Sequence, residues 1–141
     1  MILQYLPADC SDIPIIFDQA KALIDTYEDT SAIDYDRVLA WVNKKITERI
    51  SEYCCVKLDG EKCAWYRLAK DGELDDLYVL PAFQNRGIGS AILEKCIGES
   101  VNTVYLYVFS RNTRAIAFYE RFGFSVRETV GNTRYIMSFN G

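Results

Sequence analysis

Residues 74–93 pass from an extended apolar segment through a glycine turn into a helix with no spare residue between, and this limits the available folds more than any other feature. Leu77-Tyr78-Val79-Leu80 has the β-branched and aromatic bias of a strand, and Pro81 ends it by withholding a ladder donor. From Gly87 onward Ile88, Ala91, Ile92 and Cys96 recur at helical spacing, with Gly98 as the expected stop. Gly87 and Gly89 thus fall at a helix N-terminus. There the first N–H groups lack intrahelical partners and the peptide dipoles converge, so an anion is a favoured occupant. Two glycines would let it come close, and the Arg86 guanidinium suits phosphate oxygens.

Two nucleotide-binding motifs fail on the letters. A P-loop closes with Gly-Lys-Ser/Thr, whereas Gly89 is followed by Ser90-Ala91. The dinucleotide fingerprint requires a third small residue where Ile92 stands, and this loop lies mid-chain behind hairpin-like segments. Hydrolase triads fail for another reason. The chain contains no histidine, so proton transfer falls to carboxylate, tyrosine, lysine or cysteine.

The remaining segments alternate between two periods. Ile2 to Leu6 reads as a strand, and Ser11 or Asp12 can cap a helix with Pro14 in its first turn and Ile13, Phe17, Ala20, Leu23, Ile24 and Tyr27 on one face. A second helix, from about Asp34 to Ile50, carries the stripe Tyr35, Val38, Leu39, Val42, Ile46 and Ile50, with Trp41 at its border. Strands follow over Tyr53 to Leu58, Lys62 to Ala69 and Glu73 to Leu80, separated by Asp59-Gly60 and Asp71-Gly72 turns. Val104 to Phe109 is the strand after the glycine-loop helix, and that connection implies a parallel pair at the fourth and fifth strands. Asn112 or Thr113 caps a short helix ending at Gly123, and Phe124 to Val130 and Arg134 to Phe139 form a last hairpin.

A length of 141 residues with 50% hydrophobic and 13% aromatic content fits a single domain over 1–141 with a substantial core. A net charge of −4 without a Lys/Arg cluster argues against nucleic acid and against an anionic membrane. The short segment Met1 to Leu6 and the lack of a long apolar run lead us to expect a cytoplasmic protein. The five cysteines, Cys10, Cys54, Cys55, Cys63 and Cys96, have no metal-site spacing and read as buried reduced thiols, with no metal expected.

The run Gln84-Asn85-Arg86-Gly87-Ile88-Gly89 after a Leu-x-Val strand, together with Asn112-Thr113-Arg114-Ala115-Ile116-Ala117-Phe118-Tyr119-Glu120-Arg121-Phe122-Gly123-Phe124, resembles the GNAT superfamily of acetyl-CoA-dependent N-acyltransferases. The likeness covers residues 73–124. It implies an α+β, three-layer domain around a central mixed, mostly antiparallel sheet. It also implies acetyl-CoA as cosubstrate and a primary amine, small molecule or peptide, that attacks the thioester directly in a ternary complex. The alternative is a catalytically silent acyl-CoA-binding regulatory module. Dimerisation is frequent in the family, so a homodimer belongs to the expectation, although no residue pattern here specifies it.

The resemblance also assigns roles. Backbone N–H groups around Gln84, Asn85, Arg86, Gly87, Ile88, Gly89 and Ser90 would hold the pyrophosphate, and the edge of Leu77-Tyr78-Val79 would pair with pantetheine amides. Tyr119 aligns with the tyrosine that protonates the departing thiolate, and a phenol of pKa about 10 is roughly matched to an alkyl thiol. Asn112 matches a cofactor-contacting position and is equally a helix cap. Glu73 stands where several members carry a general base, with a solvated strand-end glutamate or solvent itself as the alternative. Strand alternation places Glu73 and Asp75 on one face and Asp76 on the other; the acidic pair resembles that of polyamine acetyltransferases. Tyr27, Tyr35, Trp65 and Tyr66 are candidates for an acceptor pocket or for the core.

Overall fold

The computed structural model describes residues 1–141. In chain order the elements are β1 (Leu3–Pro7), α1 (Ile13–Tyr27), α2 (Tyr35–Arg49), β2 (Cys54–Leu58), β3 (Glu61–Leu68), β4 (Leu74–Val79), α3 (Ile88–Glu99), β5 (Tyr105–Phe109), α4 (Thr113–Arg121), β6 (Phe124–Val130) and β7 (Arg134–Phe139). The architecture is α+β, and each expected helix and strand forms with small shifts at its ends.

The sheet departs from expectation. Instead of one mixed sheet there are two antiparallel ones, ordered β1-β2-β3-β4 and β5-β7-β6. The expected parallel pair of β4 and β5 shrinks to a single bridge between Glu73 and Tyr105, beside a Tyr105 N–H to Gly72 carbonyl bond of 3.0 Å. At this point the two chains touch: a Cβ on Gly72, whose φ is +103°, would stand 2.2 Å from the Thr103 carbonyl oxygen. Just beyond, Asp76 takes a φ of 56° and the β3–β4 register slips between Trp65 and Arg67. Such a bulge bends β4 away before a ladder can propagate. The two sheets form a V with its vertex at Gly72 and Glu73.

Helices cover both faces, as the alternating burial of the strands requires. On one face Ile16, Ala20 and Ile24 of α1 and Val42 and Ile46 of α2 pack on Cys55 and Trp65. On the other, Ile88, Ile92, Leu93 and Cys96 of α3 pack on Val56, Ala64, Leu106 and Met137, with Phe118 and Phe122 of α4 at the margin. Three local expectations are corrected. Asp12 holds the N-cap position of α1 without a side-chain cap bond there; the turn before it is capped by Asp9, which accepts the Ser11 N–H at 2.9 Å while Asp12 accepts the Asp9 N–H at 2.9 Å. Asp12 is also buried and accepts from Trp65 Nε1 at 3.2 Å and Lys62 Nζ at 2.8 Å, which pins the start of α1 to β3. Gly98 lies inside α3, and the helix ends where extended Ser100 donates its N–H to the Cys96 carbonyl. Of the cysteines, Cys55, Cys63 and Cys96 are buried, Cys54 partly so, and Cys10 is exposed in the turn before α1. No helix is long and apolar enough to cross a membrane.

Candidate active site

The glycine loop has the shape that its letters suggest. Asn85 and Gly87 take positive φ values of 63° and 82°, and Gly87 opens α3 with no side chain capping the first turn. The Ile88, Gly89 and Ser90 N–H groups are therefore left for an outside acceptor, with the helix dipole behind them. Gly87 is required by its backbone angle, and a Cβ there would point into open space. A Cβ at Gly89 would make ordinary contact with Phe118 at 3.5 Å and Val79 at 3.9 Å, where α3 seats against α4 and β4. Ile88 buries its side chain in the core, so only its backbone can serve a ligand. Arg86 stacks over Phe83 at 5.4 Å, and Gln84 Nε2 donates to the Val79 carbonyl at 3.0 Å, tying the loop to the end of β4.

A cavity of about 730 Å³ opens where β4 and β5 part. Its wall brings together Glu73, Leu77, Tyr78, Val79, Gln84, Asn112 and Tyr119; Asn85, Arg86, Gly87, Ile88, Gly89 and Ser90 lie outside that wall. Beyond the Glu73 bridge the β5-facing edge of Leu77-Tyr78-Val79 has no strand partner, since β3 occupies the other edge. Tyr119 is partly buried against Phe118 and Phe124, and burial raises its phenol above the ordinary range, followed by the influence of Cys96. It stays protonated at neutral pH. Glu73 is also raised, first by burial and then by the neighbouring Asp75 charge, against the pull of Arg67. A carboxylate with an elevated pKa beside a cavity is suited to taking a proton from an amine. Asn112 accepts the Ala115 N–H at 3.1 Å as cap of α4 while lining the cavity, so both expected roles remain compatible.

Asp75 and Asp76 do not alternate across β4 as expected. The positive φ at Asp76 turns both carboxylates towards Lys45 of α2, whose Nζ lies 3.2 Å from Asp75 and 3.0 Å from Asp76. Asp76 also accepts from Tyr53 at 2.5 Å and Tyr78 at 2.7 Å, and Asp75 pairs with Arg67 at 3.0 Å. Burial pushes the Asp76 carboxyl up, but Lys45 and the two phenols outweigh it and hold the group below its ordinary value. Burial likewise disfavours the Lys45 ammonium, and the two carboxylates overcome this and raise it. The pair is thus neutralised from within.

With this geometry in place, comparison with known proteins is informative. A model of the acetyltransferase (GNAT) family matches residues 15–124. The chain belongs to the GNAT acetyltransferase family. An uncharacterized N-acetyltransferase of Methanocaldococcus jannaschii is 39% identical over 62 residues, covering 41% of this chain and 27% of that protein. A mycothiol acetyltransferase of Streptomyces griseus is 35% identical over 71 residues, covering 45% of this chain and 23% of that protein. The matches with these curated relatives thus extend over about a quarter of their length. The PaiA N-acetyltransferase of Thermoplasma acidophilum, solved in complex with coenzyme A, superposes with a TM-score of 0.70 at 20% identity over 99% of both chains, which establishes the shared fold.

Within this GNAT domain several residues near the site escaped the sequence. Arg114 donates to Asn85 at 3.0 Å and so adds a second arginine to the glycine loop; its place inside the second motif was the available signal. Lys45 and Arg67 act through contacts between distant segments and had none. Of the aromatic candidates only Tyr27 lines the cavity, with Trp41, Tyr107 and Phe109 beside it. Trp65 and Tyr66 belong to the core, and Tyr35 donates to Asp25 at the surface.

Proposed function

We propose that the protein is an N-acetyltransferase that moves an acetyl group from acetyl-CoA to a primary amine by direct attack within a ternary complex. The observation that carries the reading is the V between β4 and β5, which sets Glu73 and Tyr119 on the wall of one cavity beside a strand edge without a partner. The donor fits the residues present. An uncapped α3 terminus with open space at Gly87 and with Arg86 and Arg114 nearby suits a pyrophosphate, and the Leu77-Tyr78-Val79 edge suits an extended chain of amides. Acetyl-CoA supplies the activated carbonyl carbon.

The remaining steps belong to this chain. Glu73 accepts a proton from the substrate ammonium, and the freed amine nitrogen attacks the carbonyl carbon. As the nitrogen–carbon bond forms and the carbon–sulfur bond breaks, the nitrogen releases its second proton to solvent, and Tyr119 gives its phenolic proton to the leaving sulfur and is then reprotonated from solvent. Holding both partners in one cleft contributes through proximity, and the two proton transfers contribute about 10²-fold or more each. The test is thiol release from acetyl-CoA with an amine panel. Tyr119→Phe should lower kcat about 10²-fold with little change in coenzyme A affinity. An unaltered rate across pH would remove Tyr119 from the mechanism.

A further inference from the structure

We infer that the acceptor is an amine that also bears an anionic group, a reading that rests on the acetyl transfer proposed above and narrows its substrate. The inference comes from which charges around the cavity are already matched. Asp75 and Asp76 could have attracted a polycation, but Lys45 and Arg67 hold them in ion pairs of 3.0 to 3.2 Å. The aromatic faces are taken too, since Lys45 lies 5.8 Å over Trp41 and Arg134 lies 5.9 Å over Tyr107. A second ammonium on the substrate would meet cations there.

What stays unmatched has the opposite sign. Glu73 is the one carboxylate of the main cavity wall without an ionic partner, and it faces the amine in the proposed chemistry. Arg49 and Arg134 line the same cavity with no carboxylate in ion-pair range. Arg37 does so in an adjoining cavity of about 440 Å³ that shares Trp41, Phe109 and Arg134 with the first. That annex also holds Glu28, which accepts from Thr133 at 3.2 Å, and Asp34, which caps α2, so its two arginines and two carboxylates balance, and the excess of positive charge lies in the main cavity. Deeper in the wall Arg67 is only 4% exposed and is matched by Glu52 at 3.2 Å and Asp75 at 3.0 Å, so it adds no free charge. In a chain of net charge −4, Arg49 and Arg134, both without acidic partners, line the main cavity against the single unpaired carboxylate Glu73. Guanidinium forks of this kind recognise carboxylate or phosphate.

The experiment compares matched acceptors at low ionic strength: an amino acid against its primary amide, phosphoethanolamine against ethanolamine, and putrescine as a diamine. The expected result is a kcat/KM at least tenfold higher for the anionic member of a pair, with the two pairs separating carboxylate from phosphate. Arg49→Gln and Arg134→Gln should each shrink that ratio at least threefold, chiefly through KM. Equal or better use of the amide, ethanolamine or putrescine would overturn the inference while leaving acetyl transfer standing. If no amine is turned over, the acetyl-transfer reading itself fails. Calorimetric titration of the same pairs into the protein with coenzyme A then decides the charge preference, and equal affinities would overturn it.

Discussion

Lys45→Met removes the cation shared by Asp75 and Asp76 while keeping most of the side-chain volume. The Lys45 side chain is 15% exposed and its partners 17% and 10%, so solvent screens the pair only slightly. Breaking a buried pair from one side costs about 3–5 kcal/mol, because the remaining charge is left dry. Here Arg67 still holds Asp75, and Tyr53 and Tyr78 still hold Asp76, which lowers the expectation to about 2–3 kcal/mol, or roughly 6–10 °C in Tm for a chain of this size. The pH dependence follows from direction. Asp76 is depressed in the folded state, so its contribution is present above the unfolded carboxylate pKa and disappears as pH falls through the folded value. Lys45 is raised, so its contribution is full below 10.5 and is lost as pH rises through the folded value. The gap between variant and wild type should therefore be widest between about pH 5 and 10 and narrow progressively once pH falls below the unfolded carboxylate value. Urea unfolding followed by tryptophan fluorescence measures it. A difference below about 0.5 kcal/mol at pH 7, or one that does not narrow on acidification below the unfolded carboxylate value, would refute the reasoning.

Three further outcomes are open to measurement. Glu73→Gln should lower kcat/KM about 10²-fold and abolish an acidic limb that in wild type lies above 4.5, because burial and Asp75 raise the group; the pH profile of kcat/KM checks both. Gly72→Ala should destabilise the fold by about 2–4 kcal/mol through strained φ and a clash with the Thr103 carbonyl, read by thermal or urea unfolding; a change under about 1 kcal/mol would show that the vertex of the V yields. Arg114→Gln should weaken coenzyme A binding several-fold in a salt-dependent manner, measured by calorimetry at two ionic strengths.

Local chemistry made much of this readable in advance. The α3 terminus was visible because Pro81, Gly87 and the apolar repeat after it are each decided by neighbours in sequence. Helices α1 and α2 followed from their stripes. The parallel pair failed because strand-helix-strand order says that β4 and β5 run alongside each other and says nothing about a bulge at Asp76 driving them apart. Alternation at Asp75 and Asp76 failed for the same reason, as period-two reasoning assumes an unbroken pleat. Lys45 sits at the edge of an apolar stripe on α2, and only the packing of that helix over β4 gives it partners.

Because the two sheets are joined edge to edge by little more than one rung at Glu73 and Tyr105, α3 and the core it shares with both of them hold the open V in shape while the facing strand edges stay bare. An elongated guest lying between them would act as the missing slat of the structure. Its arrival should stiffen both halves together, raise the melting temperature in proportion to the logarithm of its concentration, and slow amide exchange most at Tyr107 and Val79, far from the rung.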